Sequence, residues 1–93
     1  MITRAKPSSQ RHQTARELLA LNVLALRREK GWSQEDLAFE ASLHRTFIAH
    51  VERQARNISL DNIERIANAL AVPAYKLLVP PALQVVEALR PAQ

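Results

Sequence analysis

Residues 31–53 read GWSQEDLAFEASLHRTFIAHVER, and this stretch decides the fold. It opens on the chain's only glycine, Gly31, and passes at once to Ser33. Ser33 is a good helix N-cap, because its hydroxyl can accept from an N–H in the first helical turn. Asp36 stands where a side chain can answer the Ser33 N–H, a short form of the capping box. Glu35 and Asp36 also favour the positive end of the helix that begins there. The pattern predicts a helix over 34–41 with Leu37 and Ala38 inward, a tight connection at 42–44, and a further helix over 45–53.

That last helix has two unlike faces. With Arg45 at 0°, Ala49, Arg53, Thr46 and His50 fall at about 40°, 80°, 100° and 140°, and Phe47, Val51 and Ile48 at about 200°, 240° and 300°. One arc is apolar. The other presents guanidinium donors, a hydroxyl, an imidazole and a small residue that permits close approach. Such side chains can read base edges in a major groove.

Outward from this stretch the chain stays helical. Periodicity runs from about Thr14 to Lys30, where Gly31 supplies a left-handed stop. Ser59 caps a helix over 60–70 whose stripe is Leu60, Ile63, Ile66, Ala67 and Leu70. Pro73 suits the first turn of a fifth short helix over 74–78. Pro80-Pro81 and Pro91 bracket 82–90, where Ala82, Val85, Val86 and Leu89 recur at helical spacing. No strand pattern or internal repeat is present. The expected class is all-α with five helices and short connections, plus a short C-terminal helical tail. Three segments are expected: a flexible basic arm over 1–13, a helical domain over 14–79, and a tail over 80–93.

Composition narrows the function. The 93 residues include no cysteine, which excludes a disulfide framework and a thiolate metal site, and one glycine excludes a Gly-rich phosphate loop. No apolar run approaches the roughly 18 residues that span a membrane. The basic, polar start lacks a secretory pattern, so a cytoplasmic location is expected. The net charge of +4 is uneven along the chain. Residues 1–16 carry Arg4, Lys6, Arg11 and Arg16 with no acid, and residues 41–58 carry Arg45, Arg53 and Arg56 against Glu52 alone. Residues 17–40 carry a net negative charge, and residues 59–93 balance. Two separated basic segments fit a polyanionic partner.

Catalysis is not expected, nor a metal or cofactor. His44 and His50 lie about 240° apart around a helix, and His50 and Glu52 about 200° apart, so neither pair can share a task. No HExxH, GxSxG or GK[ST] motif occurs.

The pieces Ser33-Gln34-Glu35-Asp36-Leu37-Ala38, Leu43-His44-Arg45-Thr46-Phe47-Ile48 and Val51-Glu52-Arg53 follow Gly31 in order. With Arg56-Asn57-Ile58-Ser59-Leu60 and Asn62-Ile63-Glu64, they resemble the DNA-binding domain of the XRE (lambda repressor/Cro-like) helix-turn-helix regulators from about Leu21 to Leu78. The wording is similar to that of restriction–modification controller proteins, which are small dimeric regulators. The resemblance implies double-stranded DNA as partner and a homodimer on a (pseudo)palindromic operator. It implies base reading by Arg45, Thr46, Ala49 and His50. It also implies backbone contacts by Ser33, Gln34, Phe47, Arg53, Arg56 and Asn57, although core packing serves Phe47 equally well. Arg27 and Glu52 occupy positions that form an ion pair in many relatives. Dimerisation near the fifth helix makes Tyr75, Leu78 and Val79 interface candidates.

Three departures from the family wording stand out. Ser42 and Gln54 occupy joints where relatives commonly carry glycine. The first helix has, besides its core stripe Leu19, Val23 and Leu26, a second stripe of Leu18, Leu21, Leu24 and Ala25. Exposed contiguous apolar surface marks a contact, so this stripe and the tail residues Val86 and Leu89 are expected to cover each other, within one chain or across a dimer. The alternative is an antitoxin-type protein whose apolar stripe or tail binds a toxin.

Overall fold

The structure, a computed structural model, describes residues 13–55 and 57–83. These residues are helical with no strand: α1 Ala15–Glu29, α2 Gln34–Ala41, α3 Arg45–Glu52, α4 Leu60–Ala69, and a 3-10 helix Ala74–Leu78. The fifth helix is therefore 3-10 and not α, and Pro73 precedes it in an extended conformation. Residues 81–83 begin a further helical turn. The arm before Gln13, and Val86 and Leu89 of the tail, lie outside the described residues.

Side chains start three of the four α-helices. Thr14 and Glu17 form a full capping box on α1, with Thr14 Oγ1 accepting from the Glu17 N–H at 3.0 Å and Glu17 Oε1 accepting from the Thr14 N–H at 2.8 Å. Ser33 and Asp36 do the same on α2 at 3.0 and 2.9 Å. Ser59 Oγ accepts from the Asn62 N–H on α4. His44, at the start of α3, makes no side-chain capping bond.

All four α-helices stop by one backbone device. Gly31, Ser42, Gln54 and Ala71 have φ of 73°, 59°, 60° and 63°. The following N–H reaches back five residues at each exit: Trp32 to Arg27, Leu43 to Ala38, Ala55 to His50 and Val72 to Ala67, at 2.8–3.1 Å. These are Schellman closures. Trp32, Leu43 and Val72 then pack against the core. Ser42 and Gln54, the joints that lack glycine, adopt the left-handed conformation, and Ala71 adds a third non-glycine case.

A left-handed φ costs a non-glycine residue about 1–2 kcal/mol, and glycine's added freedom in the unfolded chain offsets about 0.5–1 kcal/mol of any relief. Ser42→Gly is thus expected to be neutral or to stabilise by up to about 1 kcal/mol. The urea midpoint checks this, and a clear fall would count against strain at that joint.

The core gathers Leu19 and Val23 from α1, Leu37, Ala38 and Ala41 from α2, Ile48 and Val51 from α3, and Ile63, Ile66 and Ala67 from α4, closed by Leu70 and Leu77. Helix α2 packs on α3 and α4, and α1 packs on α3 and the 3-10 helix. Leu60 was expected in the α4 stripe, but it is 77 % exposed. It is the first residue of α4 and falls at the edge of the apolar arc, so it lines the rim of a groove with Ala15, Leu19 and Leu78. Within the second stripe of α1, Leu18 and Leu24 are half-buried, whereas Leu21 and Ala25 are exposed.

Asn22 is the one buried polar residue among those described. Its Nδ2 donates to the carbonyls of Leu77 and Val79, both at 2.9 Å. One side chain of α1 thereby pins the end of the 3-10 helix. No described helix is long and apolar enough to cross a membrane.

Candidate nucleic-acid interface

Helix α3 buries Ile48, Ala49 and Val51 and leaves Arg45, Thr46 and Arg53 exposed, with Phe47, His50 and Glu52 between. The apolar arc anchors the helix through Ile48 and Val51, and Phe47 packs against that core. Ala49 corrects the expected outward set, because it is only 8 % exposed. The reason lies in α2: Gln34 bonds both Arg45 and Glu52, the residues a turn before and a turn after Ala49. The outward set is Arg45, Thr46 and Arg53, with a half-buried His50 beside it.

Behind this face lies a linked set of polar side chains. Arg27 of α1 meets Glu52 of α3 side-on, Nε to Oε2 at 2.7 Å and Nη2 to Oε1 at 3.0 Å. Arg27 Nη1 also donates to the Trp32 carbonyl at 2.8 Å, which ties the pair to the exit of α1. The Glu52 carboxylate raises the Arg27 pKa above the ordinary guanidinium value, chiefly through this hydrogen bonding, against a smaller opposing effect of burial. Gln34 Nε2 donates to Glu52 Oε1 at 2.9 Å, and Gln34 Oε1 accepts from Arg45 Nη1 at 3.4 Å. The Gln34 amide is engaged at both ends within the protein, and the residue is half-buried. The Ser33 hydroxyl and N–H are likewise engaged by Asp36.

After α3, Asn57 is exposed, and its Oδ1 accepts a hydrogen bond from Arg16 Nη2 at the start of α1. Arg56 lies outside the described residues. The Arg16–Asn57 contact is a component that sequence reasoning missed. It brings a cation from the first basic segment beside the second, across 41 positions of sequence. Arg16 was counted in the charge of the basic segment 1–16, but its partner cannot be read from a linear pattern.

Of the apolar contact candidates, Leu21, Tyr75 and Leu78 are exposed and Val79 is half-buried. Phe39 on α2 was not singled out from sequence, and it is 82 % exposed. Among the described residues no three His, Asp or Glu side chains gather as a metal site would require.

Comparison with known proteins identifies a helix-turn-helix in this region. A helix-turn-helix family profile matches residues 23–77. A hypothetical transcription factor of Neisseria meningitidis is 52 % identical over 69 residues, 74 % of this chain and 65 % of that protein. A crystal structure of a hypothetical transcription factor from Neisseria superposes with a TM-score of 0.76 at 42 % identity, covering 94 % of this chain and 97 % of that one. Control protein C.BamHI of Bacillus amyloliquefaciens is 61 % identical over 46 residues, 50 % of this chain and 57 % of that protein. The restriction-modification controller protein C.Esp1396I, solved as a tetramer on its natural 35 base-pair operator, matches with a TM-score of 0.65 at 29 % identity over 85 % of this chain and 100 % of that one. The matches thus span somewhat under two thirds of the two curated relatives' own lengths.

Proposed function

Because this chain belongs to the helix-turn-helix family of DNA-binding transcription regulators, with the lambda repressor-like fold and homology to controller proteins, we propose that it binds a (pseudo)palindromic operator as a homodimer with α3 in the major groove. The family is one of regulators and not an enzyme class. The observation that carries the reading is the division of α3: Ile48 and Val51 fix the helix in the core, while Arg45 and Thr46 stand exposed at its start. The N-terminal residues of a recognition helix are those that meet base edges.

In this reading Arg45 takes a guanine edge bidentately, Thr46 takes a base or a thymine methyl, and His50 lies a turn further along. Arg53 and Asn57, with Arg56, hold phosphates on the far side, and Arg16 joins them through its contact with Asn57. A two-fold dimer sets the two copies of α3 about 34 Å apart, one turn of duplex. Exposed Leu21, Tyr75 and Leu78 are the apolar residues for the dimer contact. The domain over 14–79 carries these functions, and the arm adds phosphate contacts.

Selection of bound duplexes from random DNA tests the proposal. Arg45→Ala is expected to cost about 1–3 kcal/mol at one base position and to relax preference there. Arg53→Ala is expected to weaken binding to all sequences alike and to lower the salt slope by about 1. Base preference left intact by Arg45→Ala would move the reading face elsewhere.

A further inference from the structure

Trp32 lies between α1 and α2, and Arg27 holds its backbone at both ends. The Trp32 N–H donates to the Arg27 carbonyl at 3.1 Å, and the Trp32 carbonyl accepts from Arg27 Nη1 at 2.8 Å. Arg27 is bound in turn to Glu52 of α3. The indole is half-buried against the core, so its ring is a platform tied to α3. The Lys30 ammonium stands over that ring, 5.1 Å from its centre. An exposed lysine samples many rotamers, and attraction to the ring face draws this one toward a single place. The ammonium has three donors, and the ring face occupies only one side of it.

Trp32 leads directly into the start of α2. A shallow polar hollow of Arg27, Ser33, Gln34, Glu35 and Arg45 joins that start to the start of α3. When a recognition helix enters the major groove, the helix before it crosses the sugar–phosphate backbone. Two exposed carboxylates, Glu35 and Asp36, stand in the first turn of α2 and repel a phosphate strand there. A cation beside them offsets that repulsion. We infer that Lys30, held on the Trp32 ring, binds a phosphate of the strand that passes the start of α2. The inference rests on the reading above, in which α3 enters the groove. With Arg53 and Asn57 on the far side, the duplex is then held on both sides of α3. Such a contact adds affinity and carries no base information.

The experiment compares the full chain with Lys30→Gln, which removes an exposed charge and keeps the side chain polar. Arg28→Gln removes an equal charge from an exposed position about 160° away around α1. Binding to the selected duplex and to an unrelated duplex is measured at several salt concentrations. Lys30→Gln is expected to weaken both about three- to tenfold near about 0.15 M salt and to lower the salt slope by about 1. Arg28→Gln should lower the slope by less than about half as much. Trp32 is the chain's one tryptophan, so its fluorescence reports on the platform. DNA should shift that emission, and Lys30→Gln should remove most of the shift. An unchanged slope in Lys30→Gln would overturn the inference, and so would an equal loss in Arg28→Gln, which would be the effect of net charge alone. A loss confined to one base pair would overturn it by making Lys30 a base reader. Trp32 emission indifferent to DNA would overturn it by placing the contact away from the ring. If the unsubstituted protein shows no base preference, the DNA-reading proposal itself falls, which the first measurement reveals before Lys30 is touched.

Discussion

Glu52→Ala is expected to lower the stability of the fold by about 3–5 kcal/mol, a large share of the margin that holds a small domain folded. The side chains of Arg27 and Glu52 are only 11 % and 7 % exposed. Removing the carboxylate leaves a guanidinium in the packed seam between α1 and α3 with the Trp32 carbonyl as its remaining bonded acceptor. It also strips Gln34 Nε2 of its acceptor. The cost comes from the orphaned charge more than from the lost attraction. Replacing both partners, as in Arg27→Met with Glu52→Leu, should therefore restore most of the loss. Urea denaturation followed by helical circular dichroism measures both variants. A single-variant loss below about 1 kcal/mol would be the behaviour of a solvated surface pair and would contradict this account. The Arg27 pKa is raised on folding, so its contribution is complete below the ordinary guanidinium range and is lost only as pH rises above it. Stability through neutral pH should owe no slope to this group.

Asn22→Leu is expected to cost about 2–3 kcal/mol, although it exchanges a polar side chain for an apolar one of similar size in a buried place. Two carbonyls, of Leu77 and Val79, lose the Nδ2 donor when the amide goes. The buried Leu77 carbonyl, deprived of that donor, carries the penalty. The effect should extend beyond stability, because the pinned segment includes Leu78 and follows Tyr75, both exposed. In the proposed homodimer, sedimentation at several concentrations should then show weaker self-association than in the unsubstituted chain. A denaturation midpoint that did not move would mean that the amide is dispensable and that apolar contact alone docks the 3-10 helix.

The helices were legible because their start signals are local. Ser33 with Asp36, and Ser59 before its apolar run, name the first residue of α2 and of α4 without any tertiary information. The division of α3 into two faces was legible for the same reason, since 3.6 residues per turn sorts Ile48 and Val51 from Arg45 and Thr46. Errors arose where a neighbouring element decides the outcome. Ala49 belongs to the outward arc by angle, but Gln34 bridges the residues on either side of it. Asn22 falls within the arc of α1 that is buried, and its polarity hid this. Leu60 fits its stripe by angle and is exposed because α4 begins with it. Helix exits were read from glycine, which marks only Gly31. A better cue is the apolar residue that follows the turn, as Trp32, Leu43 and Val72 do. No feature of the described structure accounts for the exposure of Phe39.

The repeated exit has a thermal consequence. Ser42 and Ala71 terminate different helices with the same left-handed backbone, which carries a steric cost for any residue with a Cβ. For a domain of this size each kilocalorie recovered raises the melting temperature by about 4–8 °C. Any net relief of backbone strain at these two joints therefore adds heat resistance without altering Arg45, Thr46 or Arg53, and so separates the durability of the chain from its proposed reading face.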